Sequence, residues 1–326
     1  MIVDQYKRVH DYLRISLTDN CDLRCFYCMP EDDYQFTPAN KLMQADEIEA
    51  ISRVFVKEGV KKIRLTGGEP LVRKDFADII QRLSLLNVQL TMTTNGTRLH
   101  EFAYIIQKAN VKSINISLDT LQRDRYILMT KRDKQEQVMQ NIALMIKKGI
   151  HVKVNVVAMK GINDGEILDF INWTKDTPVE LRFIEFMPFD RNQWQSDKVI
   201  TLQEILAIIQ SKYQVQTLER KLHDTAKHFT IAGHKGTFAV ISTMSAPFCG
   251  DCNRMRLTAD GKMKNCLFSI SETDILSAFR KGEAITPLIH ENIYLKKQAL
   301  GGQFSTDIGK IETDSLHNRT MISIGG

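Results

Sequence analysis

The sequence predicts an α/β fold in which residues 13–188 wrap six β-α units into a partial (β/α)6 barrel of the TIM type. Three observations carry this. Six short β-rich runs alternate with stretches of helical period. Each gap is read as one helix, which lets successive strands lie parallel. Every distinctive polar motif falls at the C-terminal end of a run, where parallel barrels build their sites. Six units are fewer than the eight of a closed barrel, so the wall should stay open on one side and admit a large substrate.

The first run, LRISLT (13–18), leads into a cysteine-rich loop. Ile48, Ile51, Val54 and Phe55 then mark a helix, and KKIRLT (61–66) ends in Gly67-Gly68-Glu69-Pro70. A second stripe, Phe76, Ile79, Ile80, Leu83 and Leu86, precedes QLTMTT (89–94), which closes on Thr93-Thr94-Asn95-Gly96. SINISLD (113–119) carries Ser117 and Asp119 at its end. Val138, Ile142, Met145 and Ile146 mark another helix before HVKVNVVAM (151–159), which delivers Lys160. VELRFIEFM (179–187) ends on Glu185 and Met187. After Pro188 the pattern changes. A helix is expected at 202–212, then strand-like HFTIAG and GTFAVIST joined by His234-Lys235, a hairpin turning at Asp260-Gly261, and a mostly helical stretch at 272–297. The chain therefore divides into a barrel, residues 1–190, and a C-terminal region, 191–326. The second region is expected to carry a small antiparallel sheet, helices and a Gly-Gly tail.

Composition excludes several classes. In 326 residues, 43% are hydrophobic and 25% charged, ordinary for a globular protein. No apolar run approaches the ~18 residues that span a bilayer. The opening MIVDQYKRVHDYLR is charged and lacks the apolar core of a secretion signal, so a cytoplasmic location is expected. The net charge of +5 is scattered, with no basic stripe interleaved with aromatics, so nucleic-acid binding is not expected. A compact anionic substrate is compatible.

The six cysteines fall into two clusters of three. Cys21, Cys25 and Cys28 have the spacing C-x3-C-x2-C, an odd set that cannot be a disulfide framework. Zinc prefers four ligands, whereas a cubane iron–sulfur cluster held by three Cys keeps one iron open for a small molecule. Cys249, Cys252 and Cys266 form the second group, again one short of a closed site. There a His from 223, 228 or 234 could instead complete a zinc site. Gly67-Gly68-Glu69-Pro70 alone is weak turn chemistry. Beside the Cys loop its glycines would let backbone approach a bound amino group, with Glu69 adding a negative charge for an ammonium. Arg254 and Arg256 alternate on a strand and so share a face, as bidentate phosphate contacts require. Arg14, Arg64 and Arg182 sit within barrel strands, where an inward charge is costly without an anion. Lys160 belongs to a loop edge on the same rim. By itself the terminal Gly325-Gly326 reads as a frayed end.

CDLRCFYC followed by GGEP resembles the radical S-adenosylmethionine superfamily. YLRISLTDNC, IRLTGGEPLVR, TTNG, NISLD, VKVNVVAMKGIND, RFIEFMP, FCGDCNRMRLTADGKMKNC and the closing GG are together similar to its GTP 3′,8-cyclases, which act first in molybdenum cofactor biosynthesis. The similarity runs from about Arg8 to Cys266 and resumes at the tail; Asn20 departs from it, many members carrying Arg before the first Cys. The resemblance implies the radical SAM fold and two 4Fe–4S clusters, the first on Cys21, Cys25 and Cys28, the second on Cys249, Cys252 and Cys266. It implies S-adenosylmethionine near Tyr27, Gly68, Ser117 and Met187. GTP would meet Arg14, Arg64, Thr93, Lys160, Arg254, Met255 and Arg256. Arg14 and the Gly325-Gly326 tail would serve the later catalytic steps. In that chemistry a 5′-deoxyadenosyl radical removes the ribose 3′ hydrogen of GTP and the sugar carbon joins guanine C8. An electron donor of flavodoxin or ferredoxin type, cyclic pyranopterin monophosphate synthase as recipient of the product, and a homodimer are the partners it brings. A peptide-modifying radical enzyme would want more auxiliary cysteines. An electron carrier would want eight Cys for two closed cubanes.

Overall fold

A computed structural model describes residues 1–29, 34–304, 308–311 and 318–325. The six expected strands are β1 (Tyr12–Ser16), β2 (Lys62–Thr66), β3 (Gln89–Thr94), β4 (Ser113–Ser117), β5 (His151–Ala158) and β6 (Glu180–Glu185). They pair parallel in chain order. Helices α1 (Ala45–Lys57), α2 (Phe76–Ser84), α3 (Leu99–Lys108), α4 (Arg123–Thr130), α5 (Gln135–Lys147) and α6 (Ile167–Trp173) cover the outside.

The gap between β4 and β5 holds two helices, not one. α4 presents only Tyr126, Met129 and Thr130 as buried positions and stops at Lys131, whose φ of 58° cannot continue a helix. So short a patch leaves no helical stripe in the sequence.

Alternation along the strands sets what faces in and out. Leu13, Ile15, Ile63, Leu65, Val152, Val154, Leu181 and Phe183 are buried in the layer between sheet and helices. On α2, Phe76, Ile79, Ile80 and Leu83 are fully buried in that layer. Each such side chain contributes roughly 1.5–3 kcal/mol. The opposite strand positions, Tyr12, Arg14, Lys62, Arg64, Lys153 and Arg182, are therefore left to line the barrel interior.

The C-terminal region does not build a separate sheet; it extends this one at both edges. After α7 (Leu202–Gln210) come β7 (Val215–Thr217), β8 (Lys227–Ile231) and β9 (Thr237–Ile241). β9 pairs parallel with β6, and β8 and β7 continue antiparallel. At the other edge β10 (Arg254–Leu257) pairs parallel with β1, followed antiparallel by β11 (Lys262–Lys264) and the short β12 (Thr273–Asp274). The order is β12-β11-β10-β1-β2-β3-β4-β5-β6-β9-β8-β7, an open sheet whose ends do not meet. Its parallel part thus has eight strands rather than six. Each added strand is followed or preceded by a hairpin partner instead of a helix, which hides it from a reading by β-α period. α8 (Ile275–Arg280), α9 (Ile285–Tyr294) and α10 (Met321–Ile324) complete the chain.

Candidate active site

The loop after β1 carries the first cysteines. Cys28 and Met29 donate backbone N–H to the Cys25 carbonyl, winding the loop into a turn. The Leu23 N–H lies 3.4 Å from Cys21 Sγ and the Asn95 amide 3.7 Å. Asn95 is held by Asp22 at 2.6 Å, so the end of β3 supports the loop. From α4, the Thr130 and Met129 carbonyls accept from Arg24 and Phe26. Burial pushes all three thiols up, Cys28 to about 12, and the charges of Cys21 and Cys28 on Cys25 add to it. A cationic centre reverses that balance. Among the described residues no three or more Cys, His, Asp or Glu side chains are arranged around a single ion. Three thiols without a fourth protein ligand leave one iron of a cubane cluster open, whereas a structural zinc site takes four ligands.

Gly68 is fixed by close approach. Its N–H donates to the Thr18 carbonyl at 2.7 Å, and a Cβ there would lie 2.5 Å from the Asn20 carbonyl oxygen and 2.6 Å from that of Asp19. Glu69, expected to meet an ammonium, is also held within the protein. Fully buried, it accepts from Leu71 N–H (3.0 Å), the Thr94 hydroxyl (2.8 Å) and Asn95 N–H (2.6 Å). Burial raises its pKa to about 7 against the pull of those bonds. It ties the β2 loop to the β3 loop, and three donors leave one of a carboxylate's roughly four acceptor sites open. Tyr27 is buried, its hydroxyl donating to Asp119 at 2.5 Å, two residues past Ser117. Asp119 also accepts from Val157 N–H, so one carboxylate joins the Cys loop to the ends of β4 and β5.

Cys249 and Cys252 precede β10, which is parallel to β1, so they lie at the N-terminal end of the strands, opposite the first cysteines; Arg8, ahead of β1, donates to the Cys249 carbonyl at 2.7 Å. Cys249 and Cys266 pack with Met187 against a buried cluster of Phe189, Met244, Phe268, Leu300 and Ile324. The Leu300 N–H is 3.5 Å from Cys249 Sγ, and the ammonium of buried Lys296 is 3.4 Å from Cys252 Sγ. Burial opposes ionisation of Cys252, but Lys296 and Arg254 outweigh it and bring the thiol down to about 7. The histidines do not complete this group. His223 Nδ1 is spent on the Asp251 carbonyl at 2.6 Å, His234 on the Thr174 hydroxyl at 2.9 Å, and His228 lies against Glu180 and Asp224.

Between the two groups the barrel interior is cationic. β1–β2 and β1–β10 register sets Arg14 beside Arg64 and Arg256, and Tyr12 beside Lys62 and Arg254. Arg64 donates to the Tyr12 hydroxyl, to the Met92 carbonyl and to Thr93 Oγ1, the last two at 3.2 Å. Burial would raise the Tyr12 phenol, but Arg64, Arg14 and Lys62 bring it down to about 7. Burial and Arg256 depress Arg14, with Arg64 and Arg254 adding to it. Lys153 and Arg182 extend the array, both paired to Glu180 at 2.8 and 2.6 Å. Such a concentration of buried positive charge is costly without an anion and is electrostatically suited to a polyanion. The tail enters here too: Arg256 Nη1 donates to the Gly325 carbonyl at 2.6 Å. Gly326 lies outside the described residues.

Two expected GTP contacts stand apart from this array. Lys160 turns outward to Glu204 (2.6 Å), the residue that closes the capping box of α7 with Thr201. Met255 is fully buried in the core behind the sheet, leaving only its backbone to a ligand. Sequence reasoning missed Lys62 and Lys153. The alternation of HVKVNVVA held the signal, since Lys153 and Asn155 face away from Val152 and Val154.

Residues 15–174 match the radical SAM superfamily, and residues 179–301 the family described as Molybdenum Cofactor Synthesis C. The mitochondrial GTP 3′,8-cyclase of Arabidopsis thaliana is 42% identical over the whole chain, which covers 84% of that protein. The chain belongs to the GTP 3′,8-cyclase family. Its member from Rhodopirellula baltica is 39% identical over the whole chain, with 92% of that protein covered. The chain spans about half the length (51%) of human molybdenum cofactor biosynthesis protein 1, at 41% identity. Streptococcus suis SuiB bound to S-adenosylmethionine shares the fold, with a TM-score of 0.62 at 16% identity over 88% of this chain and 67% of SuiB. Among the described residues no helix is long and apolar enough to cross a membrane.

Proposed function

We propose that this member of the GTP 3′,8-cyclase family binds GTP in the cationic barrel and closes its ribose C3′ onto guanine C8, as the first step of molybdenum cofactor biosynthesis. The observation that supports the reading is a cationic array inside the barrel, with one cysteine triad beyond the C-terminal end of β1, the other beyond the N-terminal end of β10, and a glycine tail held by Arg256. Cys21, Cys25 and Cys28 would hold a 4Fe–4S cluster with an open iron for S-adenosylmethionine. Cys249, Cys252 and Cys266 would hold a second, facing the guanine. When bound, the first cluster and S-adenosylmethionine supply the 5′-deoxyadenosyl radical that takes the ribose 3′ hydrogen.

The protein's own part is positioning and exclusion of water. Gly68, Tyr27, Ser117 and Met187 ring the place for S-adenosylmethionine, with Tyr27 locked by Asp119. Arg64, held by Tyr12 and Thr93, presents its guanidinium to the triphosphate together with Arg14, Lys62, Arg254 and Arg256. Lys153 and Arg182 would exchange Glu180 for phosphate oxygens as GTP enters. Arg14 and the Gly325-Gly326 tail would act in the steps after hydrogen removal. Residues 1–190 would then serve S-adenosylmethionine, and residues 191–326 the auxiliary cluster and guanine. A flavodoxin- or ferredoxin-type donor, delivery of product to cyclic pyranopterin monophosphate synthase, a homodimer and a cytoplasmic location complete the reading.

The test is anaerobic turnover with dithionite, S-adenosylmethionine and each nucleoside triphosphate in turn, followed by mass spectrometry. GTP alone should yield a cyclised isomer of its own mass with stoichiometric 5′-deoxyadenosine. Equal conversion of ATP, or 5′-deoxyadenosine with GTP unchanged, rejects the reading.

A further inference from the structure

The glycine tail is fastened to the protein at two points on one hairpin, and only the inner point touches the proposed substrate site. At the outer point Arg319 forks between two carboxylates. Its Nε and Nη2 donate to Glu272 at 2.6 Å each, and its Nη1 and Nη2 donate to Asp260 at 2.9 Å each. Asp260 lies in the turn between β10 and β11, where the Thr258 hydroxyl also donates to it. Glu272 precedes β12 and lies 3.5 Å from the ammonium of buried Lys264. At the inner point Arg256, on β10 itself, holds the Gly325 carbonyl. Between the two points Ile322 and Ile324 are buried.

We propose that Arg319 is the positioning residue for the Gly-Gly tail, a forked latch that sets the depth to which Gly325 enters the barrel. The proposal rests on the cyclase reading above for its functional half.

Three features make the latch specific. All four ion-pair contacts are made by side chains less than a quarter exposed, so they are screened less than surface pairs. A guanidinium bound by two carboxylates in two-pronged fashion is fixed in orientation as well as place, which a lysine cannot reproduce. Both anchors belong to the β10–β11 hairpin and its continuation, so the short segment from 319 to 325 is strung between fixed points, which raises the local concentration of the tail at its seat. The seat is tight. Gly325 has φ 81°, and a Cβ there would lie 2.7 Å from Thr66 Oγ1 and 2.8 Å from Ser16 Cβ. A tail entering at the wrong depth would therefore collide with β1 and β2, or release Arg256.

The test compares Arg319→Gln, Arg319→Lys and an Asp260→Asn/Glu272→Gln double variant with the unaltered full-length chain. The first readout is release of C-terminal residues by carboxypeptidase, followed by mass spectrometry. It needs neither clusters nor turnover. Arg319→Gln and the double variant should be trimmed at least tenfold faster than the unaltered chain, with Arg319→Lys between. The second readout is steady-state kinetics of the cluster-loaded protein. The same variants should lose at least tenfold in kcat, while KM for GTP moves less than threefold. If Arg319→Gln fails to fold, the double variant, which keeps the arginine, decides. Trimming within twofold of the unaltered chain overturns the latch. Fast trimming with unchanged kcat overturns its role in positioning. An unaltered chain that does not convert GTP rejects the cyclase reading, and the trimming result still decides the latch.

Discussion

Lys153 and Lys160 give the sharpest test of the barrel interior, because one faces the cationic array and the other faces away. Lys153→Met removes an ammonium that is mostly buried and close to Glu180, Arg182 and Arg64. At an effective dielectric of 20, two unit charges 4 Å apart attract by about 4 kcal/mol, a ceiling before desolvation. A hydrogen bond to a charged group is worth about 1.5–3 kcal/mol net. The loss is softened because Arg182 keeps Glu180 neutralised at 2.6 Å. The expected rise in Kd for GTP is therefore about 10- to 150-fold. Lys160→Met breaks only a half-exposed pair with Glu204, worth about 0–1 kcal/mol to stability, and leaves the array intact. Its Kd for GTP should stay within about threefold of the unaltered protein. Anaerobic calorimetry at two salt concentrations measures both, and Lys153→Met should also flatten the salt dependence. Equal weakening by the two substitutions would refute the assignment of faces, as would a Lys153→Met Kd within twofold of the starting value.

Other outcomes follow from the same site. Cys25→Ala should lower bound iron and abolish 5′-deoxyadenosine formation, whereas Cys266→Ala should lower iron yet still cleave S-adenosylmethionine without converting GTP; iron assay and product analysis separate them. Gly68→Ala forces a methyl against the Asn20 and Asp19 carbonyls, which cannot yield as a side chain could. It should lower the melting temperature and weaken S-adenosylmethionine binding, and a Gly68→Ala protein matching the parent in both would contradict the close packing. Tyr12, brought down to about 7, is neutral below that pH and a phenolate above it. The phenolate competes with phosphate for Arg64, so GTP affinity should fall as pH rises from 6 to 8. Tyr12→Phe should abolish that slope; a slope that survives would place the titrating group elsewhere.

Much of this was legible in the sequence because the informative features are local. Strand ends mark the rim, so the Cys21–Cys28 loop, Gly68, Ser117 and Met187 could each be assigned to a strand's C-terminal end from period and position. Register is not local. Nothing in GTFAVIST or RMRL says which strand it will lie beside, so the addition of β9 to β6 and β10 to β1 was hidden. Lys160 and Lys153 show the same limit at the scale of a side chain. Lys160 stands out beside a glycine, whereas Lys153 is marked only by strand alternation. Glu69 shows another limit: the sequence places it beside the binding loop but does not reveal the three donors that hold it there.

The strand order has a consequence for how the protein is made. Tyr12 pairs with Arg254, so the first barrel strand leaves the ribosome with one side bare and stays so until nearly the whole polypeptide has emerged. Bare backbone of that kind invites pairing with other nascent chains. A fragment ending near residue 190 would keep both β1 and β6 unsealed, and should be recovered as aggregate unless the remainder is supplied during refolding.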